Sequence, residues 1–106
     1  MPKYMIHASY TAEGAKGLLK DGGSKRRDAA AAALKTAGAT LESFYYAFGD
    51  SDVYAVVDAP DHATMVAASV AINASGAVAL KTTVLMTPAE IDQAVKKAVS
   101  YTAPGR

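Results

Sequence analysis

The sequence predicts an α+β fold: one four-stranded antiparallel sheet, two main helices on one of its faces, and a further helix at the C-terminal end. Three observations predict it. Four short segments are rich in β-branched and aromatic residues or alternate with period two. Helix start and stop residues bracket the stretches between them. Glycine- and proline-bearing breaks then put these pieces in the order strand, helix, strand, strand, helix, strand, helix.

Taken in order, Lys3–Tyr10 carries Tyr4, Ile6 and Ala8 on one parity and reads as the first strand. Thr11-Ala12-Glu13 opens a short helical piece through Leu19, which Asp21-Gly22-Gly23 breaks. Ser24 is the expected N-cap of the first main helix, Lys25–Ala37, with Gly38 as its stop. Thr40–Phe48 and Asp52–Asp58 are the second and third strands, joined as a hairpin by Gly49-Asp50-Ser51. Pro60-Asp61 starts the second main helix, which runs to about Ala74 and stops at Ser75-Gly76. Val78–Met86 is the fourth strand. Thr87-Pro88-Ala89-Glu90 has the form of a capping box with proline at the first helical position, so a last helix follows to about Val99. The order β-α-β-β-α-β is the ferredoxin-like, split βαβ arrangement, whose right-handed crossovers put both main helices on the same side.

Period two sorts the strand residues into two sets. Tyr4, Ile6, Ala8, Phe44, Tyr46, Phe48, Val53, Ala55, Val57, Leu80, Val84 and Met86 are apolar and belong under the helices. Met5, His7, Ser9, Leu41, Ser43, Tyr45, Tyr54, Val56, Lys81, Thr83 and Leu85 mix apolar and polar groups on the reverse. No main helix remains for that reverse face. Its cover is either a second copy of the chain or the last helix folded across it. The interface candidates are Met5, His7, Tyr45, Tyr54, Lys81 and Thr83, and the expected partner is the chain itself, as a homodimer or higher oligomer.

The 106 residues make one domain, residues 1–100, with a flexible tail at 101–106. Hydrophobic residues are 51% and charged residues 20%, which excludes a disordered chain. Eleven basic against ten acidic residues argue against a nucleic-acid surface, which needs excess positive charge, and leave little repulsion between copies. With no cysteine, disulfides, thiolate metal sites and a cysteine nucleophile are excluded. The start Met1-Pro2-Lys3-Tyr4 holds no apolar signal region, and Met65–Ile72 is too short to cross a bilayer. The expectation is a cytoplasmic protein with no membrane, nucleic-acid, metal or cofactor partner. Walker, GxGxxG, nucleophile-elbow and zincin patterns are absent from the sequence.

Topology places the richest set of binding groups at the sheet end that collects Tyr10 and Thr11, Gly22–Arg27, Gly49–Asp52 and Asn73–Gly76. The candidate ligand-binding residues are Tyr10, Ser24, Arg26, Arg27, Asp50, Asp52, Tyr54 and Asn73. Two readings fit Arg26 and Arg27. Behind Gly22-Gly23-Ser24, at a helix start, they suit a carboxylate or phosphate. Alternatively they pair with Asp50 or Asp52 as a latch on the hairpin. His7, beside Tyr54 and Lys81 by register, suits either a general base or a hydrogen-bonded interface residue. Asp61 reads as a helix cap. The many alanines of the two main helices allow close helix–sheet approach or leave a cavity, and both stay open.

Met1-Pro2-Lys3-Tyr4, Ala8-Ser9-Tyr10-Thr11, Gly22-Gly23-Ser24, Phe44–Val57 and Leu85–Glu90 together resemble the GYD-domain family, small ferredoxin-like proteins of the dimeric α/β-barrel type. In the family's Gly-x-Tyr-Asp hairpin pattern Gly49 and Asp52 match, while Ser51 stands where the tyrosine would be. The resemblance implies the fold and a homo-oligomer, and no particular activity, since related barrels host cofactor-independent oxygenases, degradation enzymes and ligand sensors. The expected function is that of a homo-oligomeric small-molecule binding or sensing domain with a small acidic or aromatic ligand. The alternatives are a cofactor-independent, oxygenase- or isomerase-like enzyme using His7, Tyr10 or Tyr54 in a pocket, and a structural assembly module.

Overall fold

The computed structural model describes residues 2–106. Its elements are β1 (Lys3–Tyr10), α1 (Ala12–Asp21), α2 (Gly23–Thr36), β2 (Thr40–Tyr46), β3 (Val53–Asp58), α3 (His62–Ala74), β4 (Val78–Leu85) and α4 (Pro88–Val95). The strands form one antiparallel sheet in the order β2-β3-β1-β4, the ferredoxin-like arrangement, with β1 and β3 in the middle. No helix is long and apolar enough to cross a membrane among the described residues.

Local chemistry sets most element ends. Thr11 caps α1 by accepting the Gly14 N–H, and Asp61 caps α3 by accepting the Thr64 N–H at 2.8 Å. That N–H holds the Asp61 carboxyl below its ordinary pKa. Thr87 and Glu90 form the reciprocal capping box of α4, with Pro88 at its first position. At the end of α2, Gly38 N–H reaches the Lys35 carbonyl and Ala39 N–H the Leu34 carbonyl, both at 3.0 Å. Gly38 takes the positive φ of 90° that this Schellman turn requires.

Three local expectations change. Ser24 does not cap α2; the helix begins two residues earlier, at Gly23, and Gly22, at φ 82°, is at once the end of α1 and the N-cap of α2. Only a residue free to adopt that φ joins two helices without a linker, so the position a serine side chain would have taken is used by backbone. The last helix stops at Val95 rather than near Val99. On β2, a bulge between Leu41 and Ser43 inserts Glu42 as an extra residue, so Leu41 pairs with Val57 and Phe44 with Ala55. Leu41 therefore joins the helix-covered side instead of the reverse, because one added residue inverts the parity. The extra residue, Glu42, joins Lys3 together with Asp58 in an exposed ion-pair cluster. The two carboxylates, Glu42 first, raise the Lys3 pKa, and Lys3 lowers that of Asp58.

The core lies between the sheet and α2 and α3. Tyr4, Ile6, Ala8, Val53, Ala55 and Val57 of the central strands meet Leu34, Met65 and Ala68 from the helices. Tyr4 is 1% exposed, and its hydroxyl reaches His62 Nδ1 at 2.5 Å, which satisfies a phenol otherwise stranded in the core. Tyr46, Phe48, Val84 and Met86 were expected in this layer and are exposed instead. Helices α2 and α3 lie along the edge strands β2 and β4 for part of their length, and these four residues fall beyond the stretch they cover.

Candidate functional site

The two main helices do not close against each other. Helix α2 packs on β2 and α3 on β4, leaving the middle of the sheet roofed by small side chains. Alanines at 29, 30 and 33 of α2 and at 71 of α3 face Ile6, Ala8, Phe44, Val53 and Ala55 across a cavity of about 340 Å³ that opens to solvent between the helices. The alanine-rich helices thus leave space rather than closing it. Larger residues at these positions would fill it, since protein interiors otherwise pack to near-crystal density.

The polar groups of the cavity lie at the sheet end where β1 runs out: Tyr10, Arg26 and Ser75. Tyr10 follows the sixth residue pair of the β1–β3 ladder, and its N–H donates to Asp52 Oδ2 at 2.9 Å. Asp52 N–H in turn donates to the Ala8 carbonyl at 2.8 Å, so this aspartate fastens the hairpin to the end of β1. Thr11 ties the same corner to the α3–β4 turn, its N–H donating to the Ala77 carbonyl and its hydroxyl to that of Gly76. The Tyr46 hydroxyl donates to the Gly23 carbonyl at 2.9 Å, which joins β2 to the start of α2.

Tyr10 also lines a neighbouring open groove with Leu18, Tyr46, Phe48 and Asp52, so its ring stands between the two hollows. Burial first, and then the hydrogen bond with Tyr46, pushes the Tyr10 hydroxyl up to about 12. It is a protonated donor at any physiological pH. Arg26 contacts Asp21 Oδ2 at 3.5 Å, a single long contact for a group with five N–H donors. The rest of its guanidinium is free to meet an acceptor in the cavity.

Of the sequence candidates, Tyr10 and Arg26 meet at the cavity and Asp52 supports Tyr10 from behind. Ser24, Arg27 and Asp50 are exposed and outside the cavity wall. Asn73 is spent on backbone: its amide oxygen accepts from Leu80 N–H at 2.7 Å and its amide nitrogen donates to the Leu80 carbonyl. The latch between Arg26 or Arg27 and the hairpin aspartates does not form. Arg26 pairs with Asp21 across the α1–α2 junction, and Arg27 with its neighbour Asp28 at 2.8 Å, because these partners, near in sequence, lie closer than the hairpin.

His7 and Tyr54 pair across the strands with ring centroids 5.2 Å apart, on the face opposite the cavity, since Ile6, Ala8, Val53 and Ala55 face the helices. Strand parity thus keeps both side chains out of the cavity wall. The wall residues outside the sequence candidates include the alanines of α2, Ala71 and Ile72 of α3, and Ser75. For the α2 alanines the signal was the Ala29–Ala33 run itself.

No curated protein and no solved structure shows significant similarity to this chain. A family model, the GYD domain, matches residues 4–95, from β1 to the end of α4. The match takes in every element that builds the cavity, and the chain belongs to the GYD-domain family.

Proposed function

We propose that this protein binds a small molecule in the cavity between its sheet and helices, and that it works as a homo-oligomer. The observation that carries the reading is the cavity of about 340 Å³, walled by alanines and aliphatic side chains and polar only at the Tyr10–Arg26 end. Ligand sites have this character: apolar walls with a few convergent polar groups, in a volume from about 300 Å³ upward. A dry cavity of about 150 Å³ already takes benzene, so this one suits a bicyclic aromatic or a ring with a short chain. Arg26 has N–H donors to spare, which selects a carboxylate or carbonyl at one end of that ligand.

Self-association is supported by the reverse sheet face. It carries Met5, His7, Tyr45, Tyr54, Lys81 and Thr83, and the chain's own α4 does not fold across it. Tyr45 is 70% exposed there. Nε2 of His7 is buried within the protomer and has no hydrogen-bond partner there.

Thermal-shift and calorimetric titrations with aromatic carboxylates, such as naphthoate, test the cavity. Stabilisation of the wild type that disappears in Ala33→Leu, which fills the wall, is the expected result. Equal binding by Ala33→Leu would place the ligand elsewhere.

A further inference from the structure

We propose that the segment after β4 is an exchange arm, which leaves its own protomer and packs on a second copy of this chain. The inference rests on the self-association proposed above and adds the element that would do the gripping.

From Met86 to Thr102 every residue is exposed, and α4 buries none of its side chains. Yet the arm is not a polar tail. Ile91, Ala94 and Val95 share one face of α4, and Ala98, Val99 and Tyr101 add apolar side chains in the non-helical segment that follows. Val95 is 75% exposed, Val99 83% and Tyr101 77%. The capping box and Pro88 start this helix at a definite residue. An isolated helix of eight residues is marginal in water, so packing elsewhere must hold it.

Shape and area identify the occupant as a second copy. The radius of gyration is 17.0 Å, against about 13 Å for a compact chain of this length. The accessible surface is 7377 Å², about 1,800 Å² more than the ~5,600 Å² of a compact monomer of this mass. A standard interface takes about 800 Å² from each partner, and homodimers often take more. The excess on one chain is therefore of the size that a stable dimer buries. A net charge of +1 sets no barrier to bringing two copies together. The arm also leaves β4 at Leu85, on the sheet whose reverse face is the proposed contact, so the two surfaces are continuous.

Sedimentation equilibrium and isotope-mixed photocrosslinking of the full chain test this. The variants are Ile91→Asp/Val95→Asp for the arm and Val56→Lys for the sheet face; the arm positions touch nothing whose loss would unfold the protomer. A benzophenone side chain at Val95, in an equal mixture of ¹⁴N and ¹⁵N chains, reports whether its crosslinks join two molecules. Expected are an associating wild type, dissociation at least tenfold easier in the arm variant with its circular dichroism unchanged, and mixed-isotope crosslinks. An arm variant that associates like the wild type, or crosslinks confined to one chain, overturns the exchange. If Val56→Lys alone then breaks association, the sheet-face reading survives that loss. A wild type that stays monomeric at tens of micromolar overturns both.

Discussion

Asp52 Oδ2 accepts the Tyr10 backbone N–H at 2.9 Å, which anchors the hairpin to the strand end that carries the cavity's phenol. The pair joins residues 42 apart in sequence. Asp52→Ala leaves that N–H unpaired in a half-buried corner, and a lost charge-assisted hydrogen bond costs about 1–2 kcal/mol. Urea denaturation should show that loss, and Asp52→Asn, which keeps an acceptor, should recover most of it. An unchanged midpoint for Asp52→Ala would mean the contact contributes nothing.

The Tyr10 hydroxyl, at about 12, gives a pH signature. The ordinary phenol ionises near 10, so between 10 and 12 the unfolded chain loses this proton while the folded one keeps it. Its contribution to stability is complete below pH 10 and disappears as pH rises through 12. Absorbance titration at 295 nm should show a late-ionising phenol that is absent in Tyr10→Phe. The stability of Tyr10→Phe should fall less steeply than the wild type's over that window.

Gly14 and Gly17 lie on the same short helix and should respond oppositely to alanine. A Cβ at Gly14 would stand 2.0 Å from the Ala77 carbonyl oxygen and 2.9 Å from the Tyr10 ring, whereas one at Gly17 meets nothing within 4 Å. Gly17→Ala should stabilise by about 0.5–1 kcal/mol through helix propensity. Gly14→Ala should destabilise by about 2 kcal/mol or more, because the obstacle is backbone and cannot rotate away. Thermal melts of the two variants side by side decide this. A stabilised Gly14→Ala would show that α1 is free to lift from the α3–β4 turn.

Arg26→Met keeps the stem and removes the charge at the cavity mouth. Binding of an aromatic carboxylate should weaken by about tenfold to a hundredfold, the worth of one hydrogen bond to a charged group. Binding of the matching neutral alcohol should change little. Equal losses for acid and alcohol would assign Arg26 a packing role.

The strands and caps were legible because they rest on neighbours in sequence: alternation in β1 and β3, Asp61 and Thr87 before their helices, Gly38 after α2. Where several residues were locally equivalent, reading failed. Gly22 rather than Ser24 starts α2, since the choice turns on a positive φ shared with the end of α1.

By itself, then, the sequence determined the element order, the caps and the inward parity of the central strands, each a matter of contacts a few residues apart. Tertiary structure alone decided that Leu41 turns inward at the bulge, that the alanines of α2 leave an open hollow over the sheet, that Arg26 turns to Asp21 and not to the hairpin, and that α4 stands away from its own sheet. These outcomes depend on distances between segments far apart in the chain, and the packing of helices on a twisted sheet fixes such distances only once every element is in place.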